Sequence, residues 1–251
     1  GDTSFIAVKI ASDKQLTKSL LKEAGVPVPE GDVVTTVESA QRVARRLNGP
    51  VTLKPLDGNQ GKGVTVDCNT PDDVARAFEF ARQYGRRIIV ERHVKGRDYR
   101  VLVAGGRVAA ASRRRPAHVV GDGVKTIREL VEIENADPAR GAGHATILTR
   151  IALDDHAADM LSRQGFEFDS VLPVGVVAEL RGNANLSTGG TAEDVTDLLP
   201  DSTRLLCVRA AAKIGLDVAG IDIVCEDIGQ PLAAQRGAVI EVNAAPGIRM
   251  H

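Results

Sequence analysis

Residues 238–243 read Ala-Val-Ile-Glu-Val-Asn, and residues 220–224 read Gly-Ile-Asp-Ile-Val. Both runs are apolar enough for buried strands, yet oxygen-bearing side chains interrupt them. Glu241 and Asn243 are two residues apart, so their side chains leave the same face of a strand. If the two strands pair as an antiparallel hairpin, Asp222 joins that face. Two carboxylates and one carboxamide supply only oxygen donors, and this set predicts a site for a hard cation such as Mg²⁺.

The composition is that of an ordinary globular chain. It has 251 residues, 43% hydrophobic and 26% charged, with a net charge of -1. This balance gives no signal for nucleic acid or membrane partners, and no apolar run approaches the roughly 18 residues needed to cross a bilayer. The 3 cysteines are widely spaced, so we expect buried free thiols and a cytoplasmic location. The chain starts without an initiator Met or a signal peptide, which favours an excised fragment.

Hydrophobic periodicity and turn residues predict mixed helices and strands. We expect an α+β fold of two lobes with a cleft between them, residues 1–93 and residues 94–251. Predicted helices cover about 13–24 (with Ser12 and Gln15 at capping-box spacing), 36–47, 71–85, 126–134, 155–164 and 203–214. Predicted strands cover 51–54, 64–66, 87–91, 98–103, 107–111, 219–225 and 237–243.

A glycine-rich loop joins the first two of these strands. Residues 57–63 read Asp-Gly-Asn-Gln-Gly-Lys-Gly, and three glycines let backbone N–H groups approach an anion closely. Lys62 adds charge, and Lys54 ends the strand before the loop. Lys14 lies in the first turn of a predicted helix, where a lysine is mildly unfavourable. Taken singly, each feature has a plainer interpretation: a flexible hairpin tip, a lysine reaching solvent, and a surface charge.

Three further polar regions are candidates for ligand contacts. Glu91 and Asp98 flank the presumed lobe junction, which could also be a charged surface linker. Residues 95–128 hold nine basic and two acidic residues, which indicates either a solvated face or a cradle for a polyanion. Arg181 and residues 185–190, Asn-Leu-Ser-Thr-Gly-Gly, form a second polar loop. That loop is either a plain turn or an anion-binding nest.

The order of these features resembles that of the ATP-grasp superfamily of carboxylate–amine ligases. The resemblance runs from Ala11 to His251. Within the superfamily, five stretches are similar to the ATP-grasp domain of the cyanophycin synthetase family. They are residues 11–14 with 16–18 (Ala-Ser-Asp-Lys and Leu-Thr-Lys), 54–59 (Lys-Pro-Leu-Asp-Gly-Asn), 116–123 (Pro-Ala-His-Val-Val-Gly-Asp-Gly), 185–191 (Asn-Leu-Ser-Thr-Gly-Gly-Thr) and 241–251 (Glu-Val-Asn-Ala-Ala-Pro-Gly-Ile-Arg-Met-His).

The resemblance implies an ATP-grasp fold in which the first lobe carries the phosphate-binding hairpin 51–66 and the second carries the lid and the Mg²⁺-binding strands. It implies ATP contacts for Lys14, Lys54, Gly58, Asn59, Gly61, Lys62, Gly63, Glu91, Arg92, Val94 and Asp98. It implies Mg²⁺ ligation by Asp222, Glu241 and Asn243. It also implies catalytic roles for Lys54 and Arg181, and substrate contacts for Arg181, Asn185, Ser187, Thr188, Gly189 and Gly190.

The implied reaction is ATP-dependent formation of an amide bond through an acyl phosphate. Aspartate would be added to the C-terminal carboxylate of a cyanophycin primer. The full enzyme would carry flanking domains, and a homo-oligomer is left open for it. Two alternatives remain: a ligase of the glutathione synthetase type or another peptide ligase, and an ATP-binding module that is inactive as an isolated fragment.

Overall fold

A computed structural model describes residues 3–58, 62–141 and 146–248. Helices and strands alternate irregularly, and the predicted α+β class is confirmed. The helices are α1 (Phe5–Ser12), α2 (Lys14–Glu23), α3 (Val37–Leu47), α4 (Pro71–Arg82), α5 (Ile127–Asn135), α6 (Asp155–Arg163) and α7 (Asp201–Ile214). The strands are β1 (Gly31–Val34), β2 (Val51–Pro55), β3 (Thr65–Cys68), β4 (Ile88–Arg92), β5 (Arg97–Ala104), β6 (Arg107–Arg115), β7 (His118–Val120), β8 (Arg140–Gly141), β9 (Leu148–Thr149), β10 (Val177–Glu179), β11 (Thr191–Asp194), β12 (Val218–Cys225) and β13 (Ala238–Asn243).

The predicted helices and strands are all present, and the structure adds α1, β1 and the short strands β7 to β11. The sequence of α1 is apolar on most sides, so it shows no helical stripe; the helix begins where the Ser4 side chain accepts a hydrogen bond from the Ala7 backbone. The predicted cap of the next helix is wrong by one residue. Asp13, rather than Ser12, accepts the backbone N–H groups of α2.

Contacts divide the chain into two units. The first combines Gly1–Ala111 with Val195–Gly247, and the second is built mainly from Ser112–Asp194. The predicted lobes, 1–93 and 94–251, are a different division and stay a prediction. Two hydrophobic clusters lie inside the first unit, and α1 and α2 contribute Ala7 and Leu21 to the cluster around β5, β12 and α7.

The other cluster of the first unit lies between α3, α4 and an antiparallel sheet of order β1-β4-β2-β3. Both helices begin with a capping box, Thr36 with Ser39 and Thr70 with Asp73. The side chain of Phe78 on α4 is fully buried in this cluster. The predicted hairpin of residues 51–66 is therefore the β2–β3 edge of a packed sheet.

The second sheet of the first unit pairs β5 with β12 and β12 with β13, both antiparallel. The predicted hairpin of the last two strands is confirmed. Its register contains a bulge: Asp222 opposes Glu241, whereas Ile223 opposes Val239, so Ile240 is an extra residue on β13. A bulge of this kind changes which side chains share a face beyond it.

The second unit has its own core, which includes Val119, Ile127, Leu161 and Leu172. Helices α5 and α6 supply part of it, and β7 pairs with β10 in a two-stranded antiparallel ribbon. The end of β6, residues 112–115, pairs with β11 within this unit. Strands β7 to β11 have only two to four residues each, which explains why alternation along the sequence does not predict them.

Within the described residues, the structure contains no helix that is both long enough and apolar enough to cross a membrane. The three cysteines are buried, as the sequence predicts. Burial raises the pKa of the Cys207 thiol to about 12.

Candidate functional site

The proposed phosphate end of the site lies at the carboxyl end of β2. Lys54 belongs to this strand, and its ammonium donates to Glu91 Oε1 at 2.6 Å. Lys14, at the start of α2, donates to the carbonyl oxygen of Gly58. The structure therefore brings Lys14 and Lys54 to the same loop. Lys62 is exposed and Gly63 is buried beside it, whereas Asn59 and Gly61 lie outside the described residues.

Glu91 is the buried centre of a charged network that the sequence did not predict. Its carboxylate accepts from Lys54 through one oxygen and from Lys18 through the other. Burial acts to raise the pKa of Glu91, but the charges of Lys54 and Lys18 outweigh it and hold the pKa below its usual range. Burial lowers the pKa of Lys18, and the charge of Lys54 lowers it further. The predicted ATP contact of Glu91 concerns its backbone and stays a prediction, while its carboxylate binds two lysines.

The proposed cation end of the site is formed by the paired strands β12 and β13. Asp222 lies directly opposite Glu241, and Gly220 lies opposite Asn243. The amide nitrogen of Asn243 is 3.4 Å from Asp222 Oδ2. All three predicted cation ligands are therefore on one face of the hairpin, as the spacing indicated. Their role in binding a metal stays a prediction.

Arg100 is a member of this group that sequence reasoning missed. It lies opposite Asp222 on β5, and its Nη2 donates to Asp222 Oδ2 at 2.9 Å while its Nε donates to Oδ1. Gly220 leaves room for it, since a Cβ there would lie 2.7 Å from Pro246 and 3.1 Å from the Arg100 side chain. The available signal was an arginine inside the apolar run 99–103, which a buried strand accepts only with a partner.

The donor set fits a hard cation in its chemistry. The carboxylate of Glu241 is half-buried and has no hydrogen-bond or ion-pair partner among the described residues. In contrast, Arg100 engages both oxygens of Asp222. Among the described residues no three His, Cys, Asp or Glu side chains form a metal-binding group; the predicted set has only two carboxylates and relies on the amide oxygen of Asn243.

The two ends of the site approach each other within the first unit. A small space between α2 and β13 is lined by Lys14, Lys18 and Glu241. Burial lowers the pKa of Lys14, and the charge of Glu241 opposes that effect. A larger cavity of about 690 Å³ extends from Lys14 along α2 to β1. Lys14 and Lys18 therefore face the same space as the carboxylate of Glu241, which has no partner among the described residues. This arrangement is suited to a phosphate chain and a metal ion.

The remaining predicted ATP contacts, Arg92, Val94 and Asp98, lie at the end of β4, just after it and near the start of β5. The backbone N–H of Arg92 donates to the carbonyl of Glu30 at 2.8 Å, so it is already used within the sheet. Val94 follows β4, and Asp98 lies on β5 opposite Val224. Between them Gly96 has a φ of +144°, and a Cβ there would lie 2.2 Å from the backbone of Cys225. Only glycine permits this close crossing.

The second polar loop belongs to the second unit and is held by buried arginines. The guanidinium of Arg181 donates to the Leu180 carbonyl at 2.8 Å and to Asp154 Oδ2 at 2.8 Å. Arg140, which the sequence analysis did not single out, donates to the Gly189 carbonyl at 3.0 Å. These contacts give Arg181 a structural interpretation beside its predicted catalytic role.

Within that loop, residues 185–190 form a compact turn. The backbone N–H groups of Thr188 and Gly190 donate to the carbonyl of Asn185, each at 3.1 Å. Ser187 lies in the 3₁₀ turn Leu186–Thr188, and Gly189 follows with a φ of +93°. The backbone donors of Thr188 and Gly190 are thus satisfied within the turn. The proposed substrate contacts of this loop stay a prediction.

Comparison with known proteins shows which domains and enzymes this chain is similar to. The RimK-like ATP-grasp domain matches residues 11–120. Over 250 residues the chain is 48% identical to the cyanophycin synthetase of Trichormus variabilis. The match covers 99% of this chain and 28% of that protein. The chain therefore spans only about 28% of the length of this curated relative.

Solved structures agree on the fold. A bifunctional glutathione synthetase from Pasteurella multocida superposes with a TM-score of 0.70 at 35% identity, covering 100% of this chain and 34% of that one. The D-alanine–D-alanine ligase of Bacillus anthracis has a TM-score of 0.59 at 15% identity, covering 98% of this chain and 60% of that one, which shows the fold alone. The chain has an ATP-grasp fold, and residues 11–120 match the RimK-like ATP-grasp domain.

Proposed function

We propose that this chain binds Mg-ATP and takes part in an ATP-dependent reaction that joins a carboxylate to an amine. The observation that carries the proposal is the half-buried Glu241, which has no partner among the described residues and lies beside Asp222 and Asn243, in the same space as Lys14. The identity to cyanophycin synthetase over almost the whole chain supports the same reaction class.

The residues would divide the work of phosphoryl transfer, which asks mainly for positioning and charge neutralisation. Lys14 and Lys54 would hold the phosphates, and backbone N–H groups of residues 58–63 would close over them. Asp222, Glu241 and Asn243 would hold Mg²⁺, which when bound neutralises charge on the phosphate oxygens. Release of Asp222 from Arg100, at least in part, is needed for full ligation.

In this reaction a carboxylate oxygen of the acceptor attacks the γ-phosphorus, and the bond to the β-phosphate oxygen breaks. ADP leaves, and an acyl phosphate remains. The nitrogen of the amine then attacks the acyl carbon, loses a proton, and expels inorganic phosphate. The cationic groups of the protein favour the first step because they stabilise the negative charge on the γ-phosphate oxygens in the transition state.

We further propose aspartate as the amine and the C-terminal carboxylate of a cyanophycin primer as the acceptor. Support comes from the 48% identity to a cyanophycin synthetase, against 35% to the glutathione synthetase. The basic segment 95–128 suits an acidic polymer, although it suits ATP equally well. Arg181 and residues 185–190 remain the proposed substrate contacts. A cytoplasmic location and self-association of the longer protein are also proposals.

One assay separates this proposal from its alternatives. The 251-residue chain is supplied with Mg-ATP, a short cyanophycin primer and aspartate, and ADP release is followed. Release that depends on both primer and aspartate supports the proposal. Turnover only with γ-glutamylcysteine and glycine supports a glutathione-type ligase, which the 35% identity keeps open. ATP binding in a calorimeter without turnover supports a binding module.

The cation assignment has its own test. We expect Glu241→Gln to abolish turnover while the thermal unfolding temperature stays within a few degrees of the original. Glu226→Gln is the matched control, because Glu226 is exposed just beyond the end of β12. Retained activity in Glu241→Gln would remove this residue from the proposed cation site.

A further inference from the structure

The network around Glu91 contains one more cation than its carboxylate requires. Lys18 and Lys54 each contact one oxygen of Glu91, and the side chain of Glu91 is only 4% exposed. The two lysines are 20% and 12% exposed, so neither is a surface charge. Two positive charges and one negative charge therefore share a mostly buried position, with a net charge of +1.

The two lysines come from different parts of the first unit. Lys54 lies on β2 beside the phosphate-binding loop, whereas Lys18 lies on α2, one turn beyond Lys14. Lys18 borders the cavities but contributes its hydrogen bond to Glu91. Only Lys54 has been assigned to the nucleotide, and this assignment is the part of the proposed function on which the inference rests.

ATP binding would draw Lys54 towards the phosphates and weaken its bond to Glu91. A buried carboxylate that loses its only cation is strongly destabilised. Here Glu91 would keep Lys18, because the second oxygen has its own ammonium partner. The low pKa of Glu91 fits a carboxylate that stays ionised throughout.

We propose that Lys18 is a positioning residue that neutralises Glu91 when Lys54 engages the nucleotide, and that it supports ATP binding without touching ATP. It also fixes α2, and with it Lys14, to the sheet that carries Lys54. A lysine that served only to hold the fold would change stability when removed. The proposed role predicts a change in ATP affinity that depends on the charge of Glu91.

The test is a double-mutant cycle on the 251-residue chain, with ATP affinity measured by calorimetry. Lys18→Met removes the charge and keeps the length of the side chain, and we expect ATP to bind about tenfold more weakly or worse. Lys18→Arg should bind within a few-fold of the original. Lys9→Met is the control, since Lys9 is an exposed residue on the neighbouring helix α1 and lines neither cavity, and its affinity should not change.

The decisive variant combines Lys18→Met with Glu91→Gln. Because the buried negative charge is then absent, we expect its ATP affinity to equal that of Glu91→Gln alone. Additive losses in the double variant, or an unchanged affinity in Lys18→Met, would overturn the proposal. If Lys18→Met does not fold, Lys18→Gln takes its place in the cycle, because it keeps a hydrogen-bond donor to Glu91 but no charge, and the same loss of ATP affinity is expected. Failure of the unmodified chain to bind ATP would refute the proposed function itself.

Discussion

The buried charges of the two units are satisfied in different ways. In the second unit, Arg140 and Arg181 donate chiefly to backbone carbonyls of their own unit, and these contacts hold its loops in place. In the first unit, neither Lys14 nor Glu241 has an ion-pair partner among the described residues, and two lysines share Glu91. Charge left uncompensated beside a cavity marks a place for a charged ligand, whereas arginines that donate to backbone carbonyls mark structural supports.

Removing Arg100 should have the largest effect on stability. Arg100→Met removes the guanidinium that engages both oxygens of the buried Asp222, and we expect a loss of about 3 kcal/mol in the free energy of unfolding without metal. Adding Mg²⁺ should stabilise this variant more than the original protein, because Arg100 no longer competes with the cation for the Asp222 carboxylate. Chemical denaturation with and without Mg²⁺ measures both effects. Arg107→Met, at an exposed position on β6, is the control; an equal response of the two variants to Mg²⁺ would contradict the cation site.

Lys54→Met should weaken ATP binding by about 100-fold, since a partly buried cation that pairs with phosphate is lost. Stability should change by less than about 1 kcal/mol, because Lys18 still neutralises Glu91. Calorimetric titration with ATP and denaturant unfolding measure the two quantities. If Lys54→Met lowers stability strongly but leaves ATP affinity unchanged, Lys54 has a structural role like that of Arg140 and Arg181.

Arg181→Met tests the opposite expectation. The carbonyls of Leu180 and Ala152 lose their donor, so we expect the second unit to lose about 2 kcal/mol of stability. ATP affinity of the chain should stay unchanged. The comparison variant is Arg150→Met, at an exposed position of the same unit. If Arg181→Met keeps its stability and loses turnover with primer, the structural interpretation is wrong and the catalytic one gains support.

The smallest effect concerns acid stability. The pKa of Glu91 lies below 4.5 in the folded protein, so its contribution is full above about pH 4.5 and is lost as the pH falls through the lower folded value. Glu91→Gln lacks this contribution. We therefore expect the stability difference between the original protein and this variant to shrink between pH 6 and acid pH. A difference that is constant across this range would show that Glu91 is not held ionised by its lysines.

Some of this arrangement could be predicted from the sequence because its determinants are local. Periodicity and spacing within a few residues predict the helices α3 and α4 and the shared face of Glu241 and Asn243. The partnership of Arg100 with Asp222 does not, because 122 positions separate them and only the register of β5 on β12 joins them. The hydrogen bond from Lys18 to Glu91 could not be predicted for the same reason, because 73 positions separate the two residues.

The site on the second unit was the least predictable part. Arg181 looked like an anion-binding residue because a positive charge beside glycines suits a phosphate. In the structure its guanidinium donates to the carbonyls of Leu180 and Ala152, a set of contacts that the glycine-rich pattern did not predict, and its role towards a substrate stays a proposal. The division of the chain was equally hidden, since residues from Val195 onward return to the first unit after a long excursion.

The extra residue Ile240 has a consequence for how this strand can vary. Val239 and Val242 are both buried although they are three positions apart, because the bulge shifts the alternation between them. Deleting Ile240 would restore regular alternation, with Val239 still opposite Ile223 and Glu241 still opposite Asp222. Ile240 can therefore be substituted or lost without turning Glu241 and Asn243 towards the core. The register of β13 on β12, more than the number of residues at the bulge, constrains the orientation of the cation ligands.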